Sequence, residues 1–379
     1  MPGVVWIPLG DNPRLRRLNL ALAETLHPAR WDGVSPLAGC RVLITAAADE
    51  LGMDPAVFAF LRSLRAAPAL LRGSVCAVVV DGVGEDDTKQ IGRELIFRLD
   101  LAGASFPERP LVEGTGSLKN HRVNRKRLGL GSLEDAYFAS VSLLLQRLLA
   151  YVPPRFARPR LLMLHASDRA TSNTLALGEQ VTALLAPDMD VSVRSLRNGA
   201  IEDCRGCSYK VCSHFASRGA CFYGGSIAQE VLPAVLEADI LLLLAPNYND
   251  AVGANVMAFL NRLTSLHVSN ALAGRYVYAI VVSGYSGGDI VAKQLLGALC
   301  LNKSLLLPPG FCMMETANDP GEAAALPGIQ TRLAAFAQTI RTQTLLPSPT
   351  KPPAPLGPPR RAPLHVGTPS AEALPRRGR

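Results

Sequence analysis

The sequence predicts an α/β protein with a doubly wound parallel sheet in its C-terminal half, a smaller α/β domain before it and a disordered tail after it. Two observations support this fold class. Short apolar runs of strand length alternate with longer segments of helical periodicity from residue 40 to residue 342. Polar and glycine-containing loops follow several of the apolar runs. Such alternation implies a parallel sheet covered by helices on both faces, with ligand loops beyond the carboxyl ends of its strands.

The composition fits a globular chain of two domains. The 379 residues are 48% hydrophobic and 18% charged, with a net charge of +8. Residues 345–379 contain six basic residues and one acidic residue, a net charge of +5, which leaves +3 for the rest of the chain. A body so nearly balanced lacks the basic footprint of a nucleic-acid-binding protein. The basic run at residues 119–127 has no interleaved aromatic residues and is interpreted as a solvated loop, so we expect no nucleic-acid partner.

The cellular compartment is expected to be the cytoplasm. No apolar run is long enough to cross a bilayer, and the N-terminus lacks a basic start followed by an apolar core. Membrane insertion and export are therefore not expected. In a reducing compartment, clustered cysteines are more often metal ligands or redox groups than disulfides.

Proline-rich segments divide the chain. Residues 151–159 contain two adjacent prolines and a third soon after, which stop a helix and favour a semi-rigid linker. We therefore predict an N-terminal α/β domain at 1–150 and a second α/β domain at 160–344. From residue 345 the sequence has ten prolines and no aromatic residue, which predicts a disordered tail at 345–379.

The N-terminal domain is predicted to be a degenerate α/β unit. Its apolar runs predict strands at 40–46, 75–81 and 110–113, and its periodic segments predict helices at 55–65, 88–102 and 133–150. The strand starts at 75 and 110 are 35 residues apart, and those at 239 and 275 are 36 apart. This spacing hints at a duplicated fold whose first copy lacks a strand and the cysteine segment.

The second domain has the more regular alternation. Its apolar and β-branched runs predict strands at 160–166, 190–196, 239–245, 275–282 and 304–307. The segments between and after them predict helices at 173–185, 225–237, 256–266, 289–299 and 322–342.

Three loops that follow strands of this domain are candidates for a ligand site. In the first, Ser-Asp-Arg-Ala-Thr-Ser-Asn-Thr at 167–174, the helix start favours an anion and Arg169 suits a phosphate, although Ser172 or Asn173 could simply cap the helix. The second, Ala-Pro-Asn-Tyr-Asn-Asp at 245–250, places an aromatic ring at the cleft. The third, Ser-Gly-Tyr-Ser-Gly-Gly at 283–288, lets the backbone approach a flat polar ligand. No phosphate-loop or dinucleotide-binding glycine motif opens the first helix.

These loops, in this order, resemble the NADPH-dependent FMN reductase group. The first loop is similar to that group's phosphate loop, Ala-Pro-Asn-Tyr to its loop after the third strand, and Val-Met-Ala-Phe-Leu-Asn-Arg at 256–262 to the helix that follows. The resemblance covers residues 160–311. It departs from the group at Asp168, where proline is usual, at Ala258, where lysine is usual, and at Phe222, near which acidic residues are usual.

The resemblance implies a flavodoxin-like domain that binds FMN and takes hydride from NAD(P)H. The flavin would carry the redox chemistry, so no acid–base residue is assigned. It further implies a quinone, flavin or protein as electron acceptor, and a homo-oligomer. The phosphate would be held by Ser167, Arg169, Ser172, Asn173 and Thr174, one side of the flavin ring by Pro246, Asn247, Tyr248 and Asn249, and the other by Ser283, Gly284, Gly287 and Gly288.

A cysteine segment interrupts the second domain. Its spacing, C-x₂-C-x₄-C-x₈-C, is formed by Cys204, Cys207, Cys212 and Cys221. Thiolates at such spacing bind iron–sulfur clusters or zinc. The segment resembles the C-x-G-C insertion of the iron–sulfur flavoprotein branch, in which the third gap is tighter. A [4Fe–4S] cluster, zinc and no metal therefore all stay open.

Two other functions also fit the sequence. The domain could be a flavodoxin-like electron carrier that does not use NAD(P)H, or a partner-binding module that has lost its cofactor. Bleaching of the flavin by NAD(P)H distinguishes the first from a reductase, and a failure to bind FMN distinguishes the second.

Overall fold

The computed structural model describes residues 3–167, 171–196, 201–218 and 220–347, and these residues form two parallel sheets. The strands of the first sheet are β1 Val4–Leu9, β2 Ala29–Arg30, β3 Arg41–Asp49, β4 Gly52–Met53, β5 Val75–Gly82 and β6 Leu111–Gly114. Those of the second are β7 Arg160–His165, β8 Asp190–Ser195, β9 Ile240–Pro246, β10 Tyr276–Ser283 and β11 Cys312–Thr316.

The helices cover both faces of each sheet. Those of the first half are α1 Pro13–Leu26, α2 Pro55–Ala66, α3 Thr88–Leu101, α4 Arg122–Leu128 and α5 Leu133–Ala150, with a 3-10 turn at Lys119–His121. Those of the second half are α6 Asn173–Leu185, α7 Tyr209–Ala216, α8 Leu232–Glu237, α9 Ala254–Arg262, α10 Thr264–Val268, α11 Gly288–Leu296, α12 Glu322–Ala325 and α13 Ile329–Thr344, with π-helical turns at Ile227–Val231 and Gly297–Leu301.

The two sheets share one strand order. The second sheet runs β8-β7-β9-β10-β11, the flavodoxin-like order 2-1-3-4-5. The first runs β2-β1-β3-β5-β6, with β4 as a short antiparallel addition to β3, and so repeats that order. The expectation that the first copy lacks a strand was wrong. Neither of its first two strands was predicted: β1 was missed, and β2 is only two residues long, so it gives no apolar run.

The fifth strand of the second sheet is not where the sequence predicts it. Residues 304–307 were expected to form it, but Cys312–Thr316 pairs with β10 instead. Residues 304–307 are buried and make only isolated bridges, from Leu306 to Tyr276 and from Leu307 to Phe106 of the first half. Their apolar character therefore reflects burial between the two halves of the chain rather than a place in the sheet.

A buried apolar cluster joins the two sheets. It contains side chains from one face of each sheet together with residues of the helices between them, among them α3 and α11. The backbone N–H of Phe106 donates to Leu307 O at 3.0 Å, and Lys293 of α11 bonds Glu94 of α3 at 3.1 Å. Separate clusters cover the outer faces, with α1 and α5 on the first sheet and α6 and α13 on the second.

The predicted boundary at 151–159 lies between the two sheets and stays a prediction. Across it, the N–H of Phe156 donates to Thr344 O at 2.7 Å, and that of Leu346 to Phe156 O at 2.9 Å. The first residues of the predicted tail therefore contact the linker. The tail from residue 348 onward lies outside the described residues.

No single helix within the described ranges is long and apolar enough to cross a membrane. Lys119–Leu128 and Leu133–Ala150 pass the test of length and composition only as a pair bent by 79°.

Candidate flavin site

Four loops at the carboxyl edge of the second sheet surround one cavity of about 700 Å³. They follow β7, β9, β10 and β11, the strands on either side of the point where the strand order reverses. Open parallel sheets bind ligands at this point, because the loops diverge there and leave a crevice. The volume lies within the range of small-molecule sites, roughly 300–1,000 Å³.

Nine of the thirteen residues proposed from the sequence line this cavity. They are Ser167, Ser172, Asn173, Thr174, Pro246, Asn247, Tyr248, Asn249 and Gly284. Ser283 and Gly287 lie behind the lining and contact Asn247, Gly288 lies next to Ser283, and Arg169 lies outside the described residues. The structure thus brings the three predicted loops together.

The loop after β11 completes the cavity and was missed from the sequence. Ala317, Asn318 and Pro320 line the cavity beside the start of α6. It was missed because the strand before it, β11, was not predicted. Because the fifth strand was expected at 304–307, the loop after Thr316 was not recognised as a loop on the ligand edge. Asp250, Tyr285 and Ser286 also line the cavity and extend two predicted loops by one or two residues.

The start of α6 is the part of the cavity suited to an anion. Ser172 caps the helix, with its Oγ accepting from the N–H of Leu175 at 3.3 Å and lying 2.6 Å from Ser167 Oγ. The first turn of a helix of 13 residues presents backbone N–H groups and the positive end of its dipole. Thr174, in that turn, is 2% exposed and lines the cavity.

Asn173 has a different role from the one expected. Its Nδ2 donates to Asp319 O at 2.8 Å and its Oδ1 accepts from the N–H of Ala323 at 3.1 Å. Both polar atoms of the side chain therefore connect α6 to the loop after β11. Asn173 therefore positions that loop against the cavity.

Asn247 connects the other loops. Its Nδ2 lies 2.8 Å from Ser286 O, 3.2 Å from Asp250 Oδ1 and 3.3 Å from Ser283 Oγ, so one amide bridges the loops after β9 and β10. Its Oδ1 is buried and has no hydrogen-bond partner among the described residues. An unpaired buried acceptor costs about 1–3 kcal/mol, so a donor supplied by a ligand would stabilise this loop.

Two aromatic side chains stand at the rim of the cavity. Tyr248 is 60% exposed and Tyr285 is 82% exposed. Asn249 and Asp250, next to Tyr248, have positive φ values of 53° and 59°, a left-handed conformation that Asn and Asp adopt more readily than other non-glycine residues. The loop after β9 therefore makes a tight turn that brings the tyrosine to the edge of the site.

The cysteine segment, which includes α7, is held at both ends by α9. Arg262 at the end of α9 is 2% exposed, and its guanidinium donates to Gly224 O at 2.6 Å and to Glu202 O at 3.4 Å. Asn261 Nδ2 adds a bond of 2.9 Å to Asp203 Oδ1. Asn261 and Arg262 of the motif at 256–262 thus fix both ends of the segment that contains the four cysteines.

The four cysteines are free thiols close to one another. Burial raises the pKa of the Cys212 thiol, and Cys207, Cys204 and Cys221 raise it further. Across the described ranges, however, no three cysteines, histidines or carboxylates are arranged to hold one metal ion. The assignment of a [4Fe–4S] cluster or zinc to these cysteines stays a prediction.

The sequence of this half matches a known family model. Residues 159–319 match the family model of NADPH-dependent FMN reductase. No curated protein matches the chain. The matching segment is 161 residues long, from 159 to 319, which is less than half of the 379 residues.

Solved structures overlap the chain in part. RosB with a bound 8-demethyl-8-formylriboflavin-5′-phosphate intermediate is 16% identical, with a TM-score of 0.39, and covers 48% of this chain and 79% of its own. The apo form of the NADH:FMN oxidoreductase EMOB is 18% identical, with a TM-score of 0.35 and coverage of 50% and 92%. An FMN-dependent NADH-azoreductase from Bacillus anthracis str. Ames Ancestor, in complex with FMN, is 11% identical, with a TM-score of 0.34 and coverage of 48% and 99%.

The family match and the cavity coincide along the chain. Every residue that lines the cavity, apart from Pro320, falls within 159–319. The cavity therefore lies in the part of the chain that matches the family model of NADPH-dependent FMN reductase.

Proposed function

We propose that the cavity at the edge of the second sheet binds FMN and that the chain is an oxidoreductase which takes hydride from NAD(P)H. The observation that carries this proposal is the convergence of four strand-end loops on one cavity, inside the segment that matches the FMN reductase family. When bound, FMN supplies hydride acceptance and electron transfer. The protein contributes binding, orientation and the polarity of the site.

The residues of the cavity fit this cofactor in three respects. The first turn of α6, with the serine hydroxyls at 167 and 172, suits the phosphate. The loop after β10 approaches the site with two glycines, and a β-carbon at Gly284 would lie 2.9 Å from Asn318 Oδ1, so a larger residue there would require the Asn318 side chain to move. The buried Oδ1 of Asn247 is an acceptor without a partner, which suits a ligand N–H.

The aromatic rim suits a flat ligand and a second molecule beside it. Tyr248 and Tyr285 expose apolar rings at the mouth of the cavity, where stacking on a flavin or on a nicotinamide would bury them. A second copy of this chain would cover the same rings. We therefore keep a homo-oligomer as part of the proposal, tested by light scattering with and without FMN. The acceptor is proposed to be a quinone, a free flavin or a protein.

The cysteine loop takes no part in the proposed electron path. Its thiols, as placed, do not surround one metal position. A [4Fe–4S] cluster or zinc at Cys204, Cys207, Cys212 and Cys221 stays a separate proposal, tested by iron and zinc analysis of protein purified without oxygen. The oxidoreductase proposal does not depend on the result.

The test is an anaerobic titration of the full chain with FMN and then with NADPH and NADH. FMN should bind in a ratio of one per chain, and its visible absorbance should bleach on addition of either nucleotide. Flavin that binds but bleaches only with dithionite would contradict the NAD(P)H step and leave an electron carrier. Protein that does not bind FMN at all would overturn the proposal.

A further inference from the structure

A second cleft, of about 720 Å³, opens beside α4 in the first half of the chain. Its walls are Arg122, Arg125 and Lys126 of α4, the turn at residues 129–131, and Leu133 at the start of α5. We call it the α4 cleft. It lies outside residues 159–319, so the family match does not account for it.

The geometry of α4 directs three cations to one side. Positions 122, 125 and 126 are spaced i, i+3 and i+4, which places them on one face of a helix. Asn124, between them, anchors the helix to the core through a 3.0 Å bond from its Nδ2 to Ser140 Oγ. Gly129 ends the helix with a φ of 64° and turns the chain back toward α5. The cleft is therefore a feature of the backbone as well as of the long side chains.

The positive charge of the cleft is not neutralised by the protein. None of its three cations forms an ion pair among the described residues, and no acidic residue occurs between Glu113 and Glu134. Glu134 bonds Arg17 at 2.7 Å, and Asp135 accepts from the N–H of Ser132 at 3.1 Å. Glu113 bonds Lys89 at 3.0 Å. The nearest carboxylates in sequence are thus engaged elsewhere.

The charge is also concentrated there relative to the whole chain. Residues 119–127 contain five basic residues and no acidic one, a net charge of +5. Residues 1–344 carry +3 in total, so the remainder of that body carries −2. A surface of this kind attracts anions strongly, and the basic C-terminal segment cannot be its partner because it has the same sign.

The usual ligand position of the first sheet is filled by a side chain. Arg14, in the first turn of α1, donates to Gly82 O at 2.9 Å, to Thr115 O at 2.9 Å and to Gly114 O at 3.1 Å, and pairs with Asp81. It therefore connects the loops after β5 and β6. These loops lie at the carboxyl edge of the first sheet, which corresponds to the edge of the second sheet that holds the cavity. A ligand of the first sheet would therefore have to bind elsewhere on this edge, and α4 follows β6 after only the 3-10 turn at Lys119–His121.

We propose that the α4 cleft binds a nucleoside phosphate through its phosphate groups. Guanidinium groups match phosphate oxygens with paired donors, and the lysine adds a third positive charge. Leu130 and Leu133 are partly buried and give the opposite wall an apolar surface for the base. The volume suits a ligand of nucleotide size, within roughly 300–1,000 Å³.

The test is the binding of a fluorescent N-methylanthraniloyl ADP to the full chain, followed by anisotropy, with inorganic pyrophosphate as competitor. Arg125→Glu reverses the charge of a side chain that lines the cleft. Arg127→Glu makes the same charge change on the same helix, at a residue that does not line the cleft. Arg125→Glu should weaken binding by about tenfold or more, and Arg127→Glu by less than about threefold. Arg122→Gln should reproduce the loss with a smaller charge change, and circular dichroism checks the fold of each variant.

Three results would overturn the proposal. The first is a wild-type protein that does not bind the probe. The second is an equal loss with Arg125→Glu and Arg127→Glu, together with binding of a DNA duplex or of anionic vesicles, which would indicate a diffuse polyanion surface. The third is complete displacement of the probe by saturating FMN, which would place it in the cavity of the second sheet. Binding that survives FMN and depends on Arg125 supports the α4 cleft whether or not the chain proves to be a flavin reductase.

Discussion

A β-carbon at Gly287 would lie 1.9 Å from Oδ1 of Asp250. The two residues belong to different loops of the proposed flavin site, and Asn247 Nδ2, which bridges those loops, would be 2.8 Å from the same β-carbon. The backbone at Gly287 has a φ of 82°, which favours glycine in any case. The loops after β9 and β10 therefore pack together only because position 287 has no side chain.

Gly287→Ala should weaken FMN binding by about tenfold or more. The added methyl group displaces Asp250 and Asn247, and with them the loop that carries Tyr248. FMN affinity is measured by the quenching of flavin fluorescence on binding. Gly274→Ala is the matched control, since Gly274 also has a positive φ, of 75°, but its β-carbon would meet nothing within 4 Å.

Both glycine variants should lose about 1–2 kcal/mol of stability from backbone strain alone. Only Gly287→Ala should lose flavin affinity. An equal fall in affinity for the two variants would show that the effect comes from general destabilisation and not from the contact with Asp250.

Arg262→Ala should loosen the cysteine segment. The side chain is buried and holds Glu202 and Gly224, so its removal frees both ends of the loop and costs about 1.5–3 kcal/mol for a charge-assisted hydrogen bond. The rate of thiol labelling at Cys204–Cys221, mapped by mass spectrometry, should rise several-fold. Arg205→Ala is the control, because Arg205 pairs with Glu202 on the same loop but is 57% exposed. Equal labelling rates in the two variants would contradict the conclusion that Arg262 holds both ends of the cysteine segment.

Arg14→Ala should destabilise the first half of the chain by about 3–5 kcal/mol, since it leaves the carboxylate of Asp81 buried without its partner. The Asp81 side chain is 1% exposed and Arg14 is 15% exposed, with a separation of 2.8 Å. Urea unfolding measures the change. Arg16→Ala, which removes an ion pair with Asp11 on the exposed side of the same helix, should cost less than about 1 kcal/mol.

A double variant separates the pair from its surroundings. Arg14→Met combined with Asp81→Asn removes both charges and should recover part of the loss, as expected when a buried charge is no longer left alone. Failure of the second substitution to recover any stability would assign the loss to the hydrogen bonds of Arg14 with the backbone carbonyls.

The extent to which the sequence predicted this protein differs between its parts. Helices at 133–150 and 173–185 were predicted with the bounds observed, because Ser132 and Ser172 cap them and their apolar faces are regular. The first helix was not predicted, although Asn12 and Pro13 mark its start and Leu15, Leu18 and Leu22 form its buried face. Three arginines, Arg14, Arg16 and Arg17, are interspersed among these leucines and masked that pattern.

The residues of the site were predicted from the loops that follow strands. The prediction was incomplete where the position of a strand was predicted wrongly. The strand Cys312–Thr316 ends in polar residues and is partly exposed, so its sequence does not have the pattern of a buried strand. Residues 304–307, by contrast, include three buried leucines, because they lie between the two halves of the chain. Long-range burial of this kind has no local signature. The role of Asn173 was missed for the same reason, since its partners at 319 and 323 are about 150 residues away.

Asp100→Asn should stabilise the protein at neutral pH. Asp100 is 1% exposed, its Oδ2 has no partner within the described residues, and its Oδ1 accepts from the N–H of Phe311 at 3.4 Å. Burial holds the pKa of the Asp100 carboxyl well above its ordinary value of 3.8. The folded state therefore binds a proton that the unfolded state releases, so the stability from this group is present below pH 3.8 and is lost as the pH rises through the folded pKa.

The amide of asparagine keeps the shape and the acceptor for Phe311 but has no charge to desolvate. The free energy of unfolding at pH 7 should rise by about 1–3 kcal/mol in the variant, and its decline between acidic and neutral pH should become shallower. Asp86→Asn, at an exposed residue, should change neither quantity. A loss of stability at pH 7 in Asp100→Asn, with an unchanged pH profile, would mean that the carboxyl between the two sheets is ionised and held by its surroundings. Denaturant unfolding at several pH values decides between these outcomes.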